Sequence, residues 1–200
     1  MEQNDSTLEQ SKERLFIALA LPEPMKKAFD KQMKHIKEQL SFKRWVHPMD
    51  LHITLQFLGD VPKERIAAID AALRECAASV NLSTLSVGIS GLGVFGRPER
   101  PSVLWAGIET DMGALGGLQR TVVESMQTVG FEPEQRPYKP HLTLARNYAG
   151  AVPFEYASLE IGAGVTSERW YWEADAITLY KSNTRAKPSY EPIGVYSLGK

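Results

Sequence analysis

The sequence predicts an α+β fold of two pseudo-symmetric lobes, each a small and mostly antiparallel sheet flanked by helices, with a cleft between the lobes. Three features predict it. Short apolar runs alternate with amphipathic helical stretches, the order strand, helix, loop, strand occurs twice, and matching positions in the two copies lie 89 residues apart. With 200 residues, of which 43% are hydrophobic, the chain can bury a core without disulfides or a structural metal.

The first copy begins with the apolar run Leu15–Leu21, which is typical of a strand covered on both faces. An amphipathic helix follows, and its apolar stripe has helical spacing. The stripe consists of Met25, Phe29, Met33, Ile36 and Leu40. A loop at 41–50 leads to a strand at 51–58, a second helix is predicted over 62–80, and an alternating strand lies at 85–89.

The second copy repeats this order after a loop at Phe95–Pro101, which is rich in glycine, proline and charge. Val103–Ile108 reads as a strand, an apolar stripe over 115–129 predicts a helix, and Pro140–Ala145 reads as the next strand. Two late strands are expected to complete the sheets: Ala176–Lys181 and Ile193–Leu198.

The repeat is carried by two landmarks that share one offset. Leu15-Phe16 aligns with Leu104-Trp105, and the tetrapeptide HITL at 52–55 aligns with HLTL at 141–144, both at 89 residues. One such match can arise by chance between similar apolar strands. Two matches in the same register without a gap indicate an internal duplication.

The ends and the cysteine content bear on domain organisation and compartment. Residues 1–13 are polar and predict a flexible tail, which leaves 14–200 as a single domain. The polar start lacks the apolar core of a signal peptide, and no apolar run approaches the roughly 18 residues of a membrane span. Cys76 is the single cysteine, which fits a reducing compartment, so we expect a cytoplasmic protein.

The charge balance limits the partners. There are 23 Lys and Arg against 24 Asp and Glu, a formal net charge of −1. The chain therefore lacks the basic field that holds many phosphates of a long duplex, and a nucleic-acid partner should be short or bound at one end.

The two tetrapeptides carry the chemistry. In a strand, residues i and i+2 share a face, so His52 lies beside Thr54 and His141 beside Thr143. A twofold relation between the lobes would place both pairs in one cleft. Because the imidazole pKa is near ~6.5, two histidines can supply a base and an acid at once, as hydrolysis of a cyclic phosphodiester requires. The threonine hydroxyls can donate to the phosphate oxygens.

These motifs resemble those of the 2H phosphoesterases, which carry paired H-x-[ST]-x motifs on a duplicated two-lobe fold. Within that superfamily the chain is most similar to the bacterial and archaeal RNA 2′,3′-cyclic phosphodiesterases, historically called 2′-5′ RNA ligases. The similar segments are RLFIALALP (14–22), RWVHPMDLHITLQFLGD (44–60), SVLWAGIE (102–109), RPYKPHLTLAR (136–146) and ITLYKS (177–182).

The resemblance implies an enzyme that opens a 2′,3′-cyclic phosphate on an RNA end or a nucleotide and leaves a 2′-phosphate. It casts His52 as the proton donor to the 3′ oxygen and His141 as the proton acceptor that activates water, while Thr54 and Thr143 hold the phosphate. Proton transfer between two histidines requires no metal, and we expect no cofactor, no membrane association and no obligate protein partner.

Three further residues are candidates for substrate binding. Arg146 follows the second motif and could pair with phosphate, or it could be a solvated charge. Trp45 and Tyr138 precede the histidine strands, where an aromatic face could stack on a base or could simply pack in the core.

Three alternatives remain open at the level of sequence. The same site run backwards would join a 2′-phosphate end to a 5′-hydroxyl. A binding protein would capture RNA ends or nucleotides without turnover. Two histidines could also ligate zinc, but no third ligand stands at a recognisable spacing.

Overall fold

The computed structural model describes residues 11–155 and 170–199. Within them, nine strands form one antiparallel sheet, and three α-helices and two short 3₁₀ turns connect them. The strands are β1 (Lys12–Ala20), β2 (Phe42–Trp45), β3 (His52–Pro62), β4 (Leu85–Arg97), β5 (Arg100–Thr110), β6 (Leu142–Tyr148), β7 (Tyr171–Ala174), β8 (Ala176–Ser182) and β9 (Tyr190–Ser197). The helices are α1 (Glu23–Gln39), α2 (Ile66–Ser79) and α3 (Met112–Thr128).

The sheet consists of two halves that meet at a narrow seam. One half has the order β3-β1-β8-β9, the other has the order β7-β4-β5-β6, and β2 adds to β6. The halves join where β3 pairs with β6 through one residue pair, Ile53 and Leu142. The predicted α+β architecture is confirmed, with one correction: the two small sheets are continuous, because these two buried residues pair across the seam.

The predicted repeat corresponds to two strand–helix–strand units in the same arrangement. β1 pairs with β3 across α1, and β5 pairs with β6 across α3. The strand beside β1 is β8, from late in the chain, whereas the strand beside β5 is β4, from the first half. Each half of the chain thus contributes two strands to the other half of the sheet, β2 and β4 in one direction and β8 and β9 in the other, which ties the two units together.

The alternation along β1 separates two apolar clusters. Leu15, Ile17 and Leu19 belong to the main core, to which all three helices contribute. Phe16 and Ala18 point to the opposite face, where they join Tyr180 in a small second cluster. The predicted α1 stripe is buried on the core side, with Phe29 and Ile36 fully inaccessible. The face that carries Phe16 borders the cleft described below.

The structure corrects two predicted loops. The predicted loop at Phe95–Pro101 is mostly strand, because β4 and β5 stay paired down to Arg97 and Arg100. A positive φ of 103° at Gly96 accompanies the irregularity in this hairpin. The predicted loop at 41–50 contains β2 and a 3₁₀ turn, Pro48–Asp50. Neither β2 nor β7 has a signal in the apolar pattern, since each has only four residues.

The structure corrects the predicted end of the N-terminal tail, because Lys12 and Glu13 belong to a strand. Residues 1–10 lie outside the described residues, but β1 begins at Lys12. Glu13 accepts a hydrogen bond from Lys181 Nζ at 3.0 Å and lies 3.5 Å from Lys63 Nζ, and these contacts hold the start of the strand. Among the helices of the described ranges, none is long and apolar enough to cross a bilayer.

Candidate active site

A cleft of about 800 Å³ opens at the seam between the two halves of the sheet. Its lining includes His52 and Thr54 from β3, together with His141 and Thr143 at the start of β6. The seam explains this meeting, because β3 and β6 are neighbours in the sheet. The structure therefore brings the four motif residues together, as the repeat predicted.

His52 is held by hydrogen bonds at both ring nitrogens. Nδ1 lies 2.6 Å from the backbone carbonyl oxygen of Asp50, and Nε2 lies 3.1 Å from Oγ1 of Thr54. A carbonyl can only accept, so Nδ1 carries the proton in the neutral ring. The basic nitrogen of His52 is then Nε2, beside the threonine hydroxyl.

His141 repeats this arrangement in the other half of the sheet. Its Nδ1 lies 2.7 Å from the carbonyl oxygen of Lys139, two residues earlier, just as Asp50 precedes His52. The same reasoning assigns the Nδ1–H tautomer and leaves Nε2 as the basic nitrogen. Both imidazoles therefore present equivalent nitrogens for proton transfer.

Aromatic rings support each imidazole. Phe16 lies 4.7 Å from His52 between ring centroids, and Tyr190 meets the same ring edge-on at 5.2 Å. On the other side, Phe95 meets His141 edge-on at 5.0 Å, and Trp105 lies 6.3 Å away. These contacts restrict both imidazole planes.

Burial lowers the pKa of both histidines. Loss of hydration lowers the pKa of His52 to about 4. The hydrogen bond to the Asp50 carbonyl opposes this pKa shift, and the positive charges of Lys26 and Arg146 add to it. Loss of hydration is also the main reason why the pKa of His141 lies below its ordinary value, and Arg146 lowers it further. Both rings are thus neutral at pH 7 in the ligand-free cleft, and His52 is the harder one to protonate.

A bulge in each histidine strand brings a third side chain to the cleft. Ala18 pairs with Thr54 and Ile17 with Gln56, so Leu55 has no partner in β1. In the other half Leu144 is skipped in the same way between β5 and β6. The burial order is the same over 52–57 and 141–146: half-buried, buried, half-buried, buried, buried, exposed.

The bulges turn two different residues towards the cleft at equivalent places. An extra residue reverses the alternation, so the fifth residue after each histidine lines the cleft on the histidine side. That residue is Arg146 in one half and Phe57 in the other. Arg146 is exposed, and its positive charge acts on both histidines, which places a guanidinium beside the paired imidazoles.

The two predicted aromatic candidates have different positions. Tyr138 lines the cleft, and its hydroxyl is buried without a hydrogen-bond partner in the part of the chain that the structure describes. Trp45 is not among the described residues that line the cleft. Its ring packs edge-on against Phe42 at 6.0 Å and on the main core, because β2 pairs with the outer part of β6. Trp45 is therefore placed for packing.

Asp50 positions the groups around His52, and it was not among the site residues predicted from the sequence. Its carboxylate is 4% exposed and accepts hydrogen bonds from the backbone N–H groups of Ser189 and Tyr190 at 2.8–3.0 Å. Asp50 thus fixes the segment that carries the Tyr190 ring while its carbonyl orients His52. Its partners are 139 and 140 residues away, so no local pattern could have indicated them.

The remaining histidines lie elsewhere. His35 is on the exposed face of α1, where Nε2 contacts the Gln39 amide at 2.8 Å. His47 Nδ1 accepts the N–H of Met49 at 3.2 Å and caps the 3₁₀ turn. In the two described ranges, 11–155 and 170–199, no three His, Cys, Asp or Glu side chains group around a common point that could hold a metal ion.

The chain is similar to several known proteins. Residues 22–186 match the 2′-5′ RNA ligase superfamily. A protein of Bacillus subtilis named RNA 2′,3′-cyclic phosphodiesterase is 30% identical over 92% of this chain and 95% of its own length. A protein of the same name from Geobacillus stearothermophilus is 34% identical over 92% of this chain, which spans 56% of that longer relative.

Solved structures agree with the fold. A protein of Thermus thermophilus superposes with a TM-score of 0.71 at 26% identity, covering 92% of this chain and 97% of that one. The ligand-free LigT protein of E. coli has a TM-score of 0.70 at 24% identity, over 95% of this chain and 99% of its own. The match over most of the length, with the histidine pair in one cleft, shows that this chain belongs to the 2′-5′ RNA ligase superfamily.

Proposed function

We propose that this protein hydrolyses 2′,3′-cyclic phosphate at RNA ends or on nucleotides to a 2′-phosphomonoester. The observation that carries the proposal is the pair of imidazoles in one cleft, each with Nδ1 occupied by a backbone carbonyl and Nε2 available for proton transfer. The names of the relatives, RNA 2′,3′-cyclic phosphodiesterase, support the same substrate class.

The reaction needs two proton transfers on opposite sides of phosphorus. The neutral His141 takes a proton from water as the water oxygen bonds to phosphorus. The bond from phosphorus to the 3′ oxygen breaks, and a protonated His52 gives its Nε2 proton to that oxygen. Because each step moves a proton between nitrogen and oxygen, the scheme requires no metal or organic cofactor.

Three side chains are placed to stabilise the charge that builds on the phosphate. The hydroxyls of Thr54 and Thr143 can donate to the non-bridging oxygens. The Arg146 guanidinium adds a positive charge and a forked donor that matches phosphate geometry. Tyr138 borders the same cleft and can contact the nucleoside.

One observation favours the opposite direction of proton transfer as a second candidate. Burial lowers the pKa of His52 to about 4, so in the ligand-free cleft His141 is protonated first. In this variant His141 is the donor and His52 the base, and the overall reaction is unchanged. A substrate whose leaving group needs no proton shows which histidine is the donor, because only the variant that lacks the donor regains activity on it.

The first test is hydrolysis of a cyclic-phosphate-ended oligoribonucleotide and of 2′,3′-cyclic AMP in EDTA, with products identified by phosphorus NMR. We expect a 2′-phosphate product from the wild type and from His35→Ala, a surface histidine that serves as the matched control. His52→Ala and His141→Ala should make it about 10²- to 10⁴-fold more slowly. No turnover by the wild type would overturn the proposal, and loss of activity in EDTA would restore the zinc alternative.

Two other functions are outcomes of the same experiment. Joining of a 2′-phosphate end to a 5′-hydroxyl is the reverse reaction and should appear only when both ends are concentrated. For the enzyme, His141→Ala should remove nearly all turnover and leave ligand affinity within roughly tenfold. A binding protein would show no turnover in the wild type, and His141→Ala would instead weaken its ligand affinity. We propose that residues 14–200 act as one domain, supported by the continuous sheet, and that the setting is the cytoplasm, supported by the free, buried Cys76.

A further inference from the structure

We propose that the ring of Phe57 is a platform on which the base of the bound nucleotide stacks. The proposal rests on the proposed function only for the chemical class of the ligand, a nucleoside 2′,3′-phosphate or 2′-phosphate. Trp45 and Tyr138 were the aromatic residues that the sequence suggested for this role, and Phe57 was not among them.

Phe57 is unusually exposed for its place in the fold. Its side chain is 55% accessible, although it lies in the interior of an eleven-residue strand, β3, where it pairs with Phe16 of β1. The Leu55 bulge turns it away from the core and onto the cleft lining. An aromatic ring left open on the lining of a cleft is suited to contact with a ligand.

The position relative to the reacting groups fits a nucleotide. The Phe16 ring lies 4.7 Å from His52 and 6.0 Å from Phe57, so Phe57 is one aromatic ring removed from the catalytic imidazole. Phe16 is 3% exposed, and its contact with the Phe57 ring limits the movement of that ring. A phosphate held between the histidines leaves its base within reach of this ring.

Helix α3 supplies polar groups that could meet the edges of a base. Four of its polar side chains are among the cleft-lining residues: Gln119, Arg120, Glu124 and Gln127. Gln119 contacts the backbone carbonyl of Leu55 at 3.4 Å, which brings α3 against β3 beside the platform. The cleft volume of about 800 Å³ lies in the range of roughly 300–1,000 Å³ typical of pockets that enclose whole organic ligands, so it has room for a nucleoside and its phosphate.

The pseudo-symmetry of the cleft indicates which end of a nucleotide Phe57 would contact. Phe57 and Arg146 occupy equivalent places, five residues after the two histidines, and both line the cleft. A guanidinium is suited to the phosphate and a phenyl ring to the base. The two residues would thus orient a nucleotide across a cleft whose histidines and threonines are otherwise duplicated.

The test compares binding of 2′-AMP, 2′-UMP and inorganic phosphate to the full chain by isothermal titration calorimetry. In Phe57→Ala we expect the affinity for 2′-AMP to fall about 5- to 100-fold, the range of one base–aromatic stack. Phosphate affinity should not change. Phe57→Trp should keep or improve 2′-AMP binding. Because stacking increases with base area, the wild type should bind 2′-AMP more tightly than 2′-UMP, and this difference should disappear in Phe57→Ala.

Tyr171→Ala is the matched control, since Tyr171 is 42% exposed on β7, away from the cleft lining. It should bind all three ligands like the wild type. Unchanged 2′-AMP affinity in Phe57→Ala, or an equal loss for 2′-AMP and phosphate, would overturn the platform. Binding needs no turnover, so a protein that stacks 2′-AMP on Phe57 but does not hydrolyse cyclic phosphate would contradict the proposed function alone.

Discussion

The segments 52–57 and 141–146 are the same structure built twice, and they differ most at their last residue. Both start with a histidine whose Nδ1 contacts a carbonyl two residues earlier, both contain a skipped leucine, and both have the same order of burial. One ends in Phe57 and the other in Arg146. Duplication thus supplies the two proton-transfer groups, and divergence at one position distinguishes the two ends of the cleft.

The surroundings of the two histidines also differ. His52 lies against Tyr190, which the buried Asp50 carboxylate holds in place, whereas His141 lies against Phe95 in the β4–β5 hairpin. Burial lowers the pKa of His52 to about 4 and that of His141 by less. Two imidazoles in equivalent positions therefore differ in basicity, as a site that needs one acid and one base requires.

The largest expected effect is the loss of either histidine. His52→Ala and His141→Ala should each lower kcat by about 10²- to 10⁴-fold, the usual contribution of a positioned acid or base. Because the two groups act in one step, the double variant should be little worse than the poorer single variant. Steady-state kinetics on 2′,3′-cyclic AMP measures all three. A decrease in kcat of tenfold or less for only one of the two histidine variants would show that the two segments do not contribute equally.

The second effect concerns stability as a function of pH. A histidine whose folded pKa is about 4 binds fewer protons when folded than when unfolded, where its pKa is about 6.5. It therefore contributes stability that is fully present above pH 6.5 and is lost as the pH falls through 4. The shift corresponds to about 3 kcal/mol. Urea unfolding of wild type and His52→Ala at pH 7.5 and pH 4.5 measures it.

His141→Ala is the comparison for that measurement. The pKa of His141 is lowered too, but by less than that of His52. Acid should therefore destabilise His141→Ala almost as much as the wild type, and His52→Ala less than either. Equal pH dependence in wild type and His52→Ala would show that His52 is not buried as described.

The third effect is a difference between Arg146 and Phe57 in their contribution to phosphate binding. Arg146→Ala should weaken binding of inorganic phosphate about 10- to 100-fold, the contribution of one charged hydrogen-bonding partner. Arg146→Lys should recover part of the loss, because the charge remains and the forked donor is gone. Phe57→Ala leaves phosphate binding unchanged in this account. Calorimetry with phosphate compares the three variants, and equal losses for Arg146→Ala and Phe57→Ala would remove the proposed division of roles.

The smallest effect concerns the threonines. Thr54→Val and Thr143→Val should each lower kcat about tenfold or less, since each removes one neutral donor to the phosphate. Only Thr54 contacts its histidine within the described residues, at 3.1 Å from Nε2. Thr54→Val should therefore lower kcat more than Thr143→Val, because it also removes a contact that positions the His52 ring. Equal losses in the two variants would contradict this difference.

The sequence predicted what depends on periodicity and on the repeat. The helix stripes, the main strands and the pairing of His52 with His141 follow from local pattern and one shared offset. The cleft face of Phe57 could not be predicted, because strict alternation places it opposite His52 and the Leu55 bulge reverses that order. The Asp50 contacts and the Trp45 packing depend on strands brought together from distant parts of the chain.

The measurement that tests the paired-histidine account most directly uses a cyclic substrate in which sulfur replaces the 3′ oxygen. A thiol has a pKa of about 8.5, so the thiolate leaves without a proton and the general acid becomes dispensable. Single-turnover rates on this and the ordinary substrate should show both histidine variants impaired on oxygen, with His52→Ala restored on sulfur and His141→Ala still impaired. Restoration of His141→Ala instead would reverse the two roles. Two variants with wild-type rates on the ordinary substrate would contradict the account.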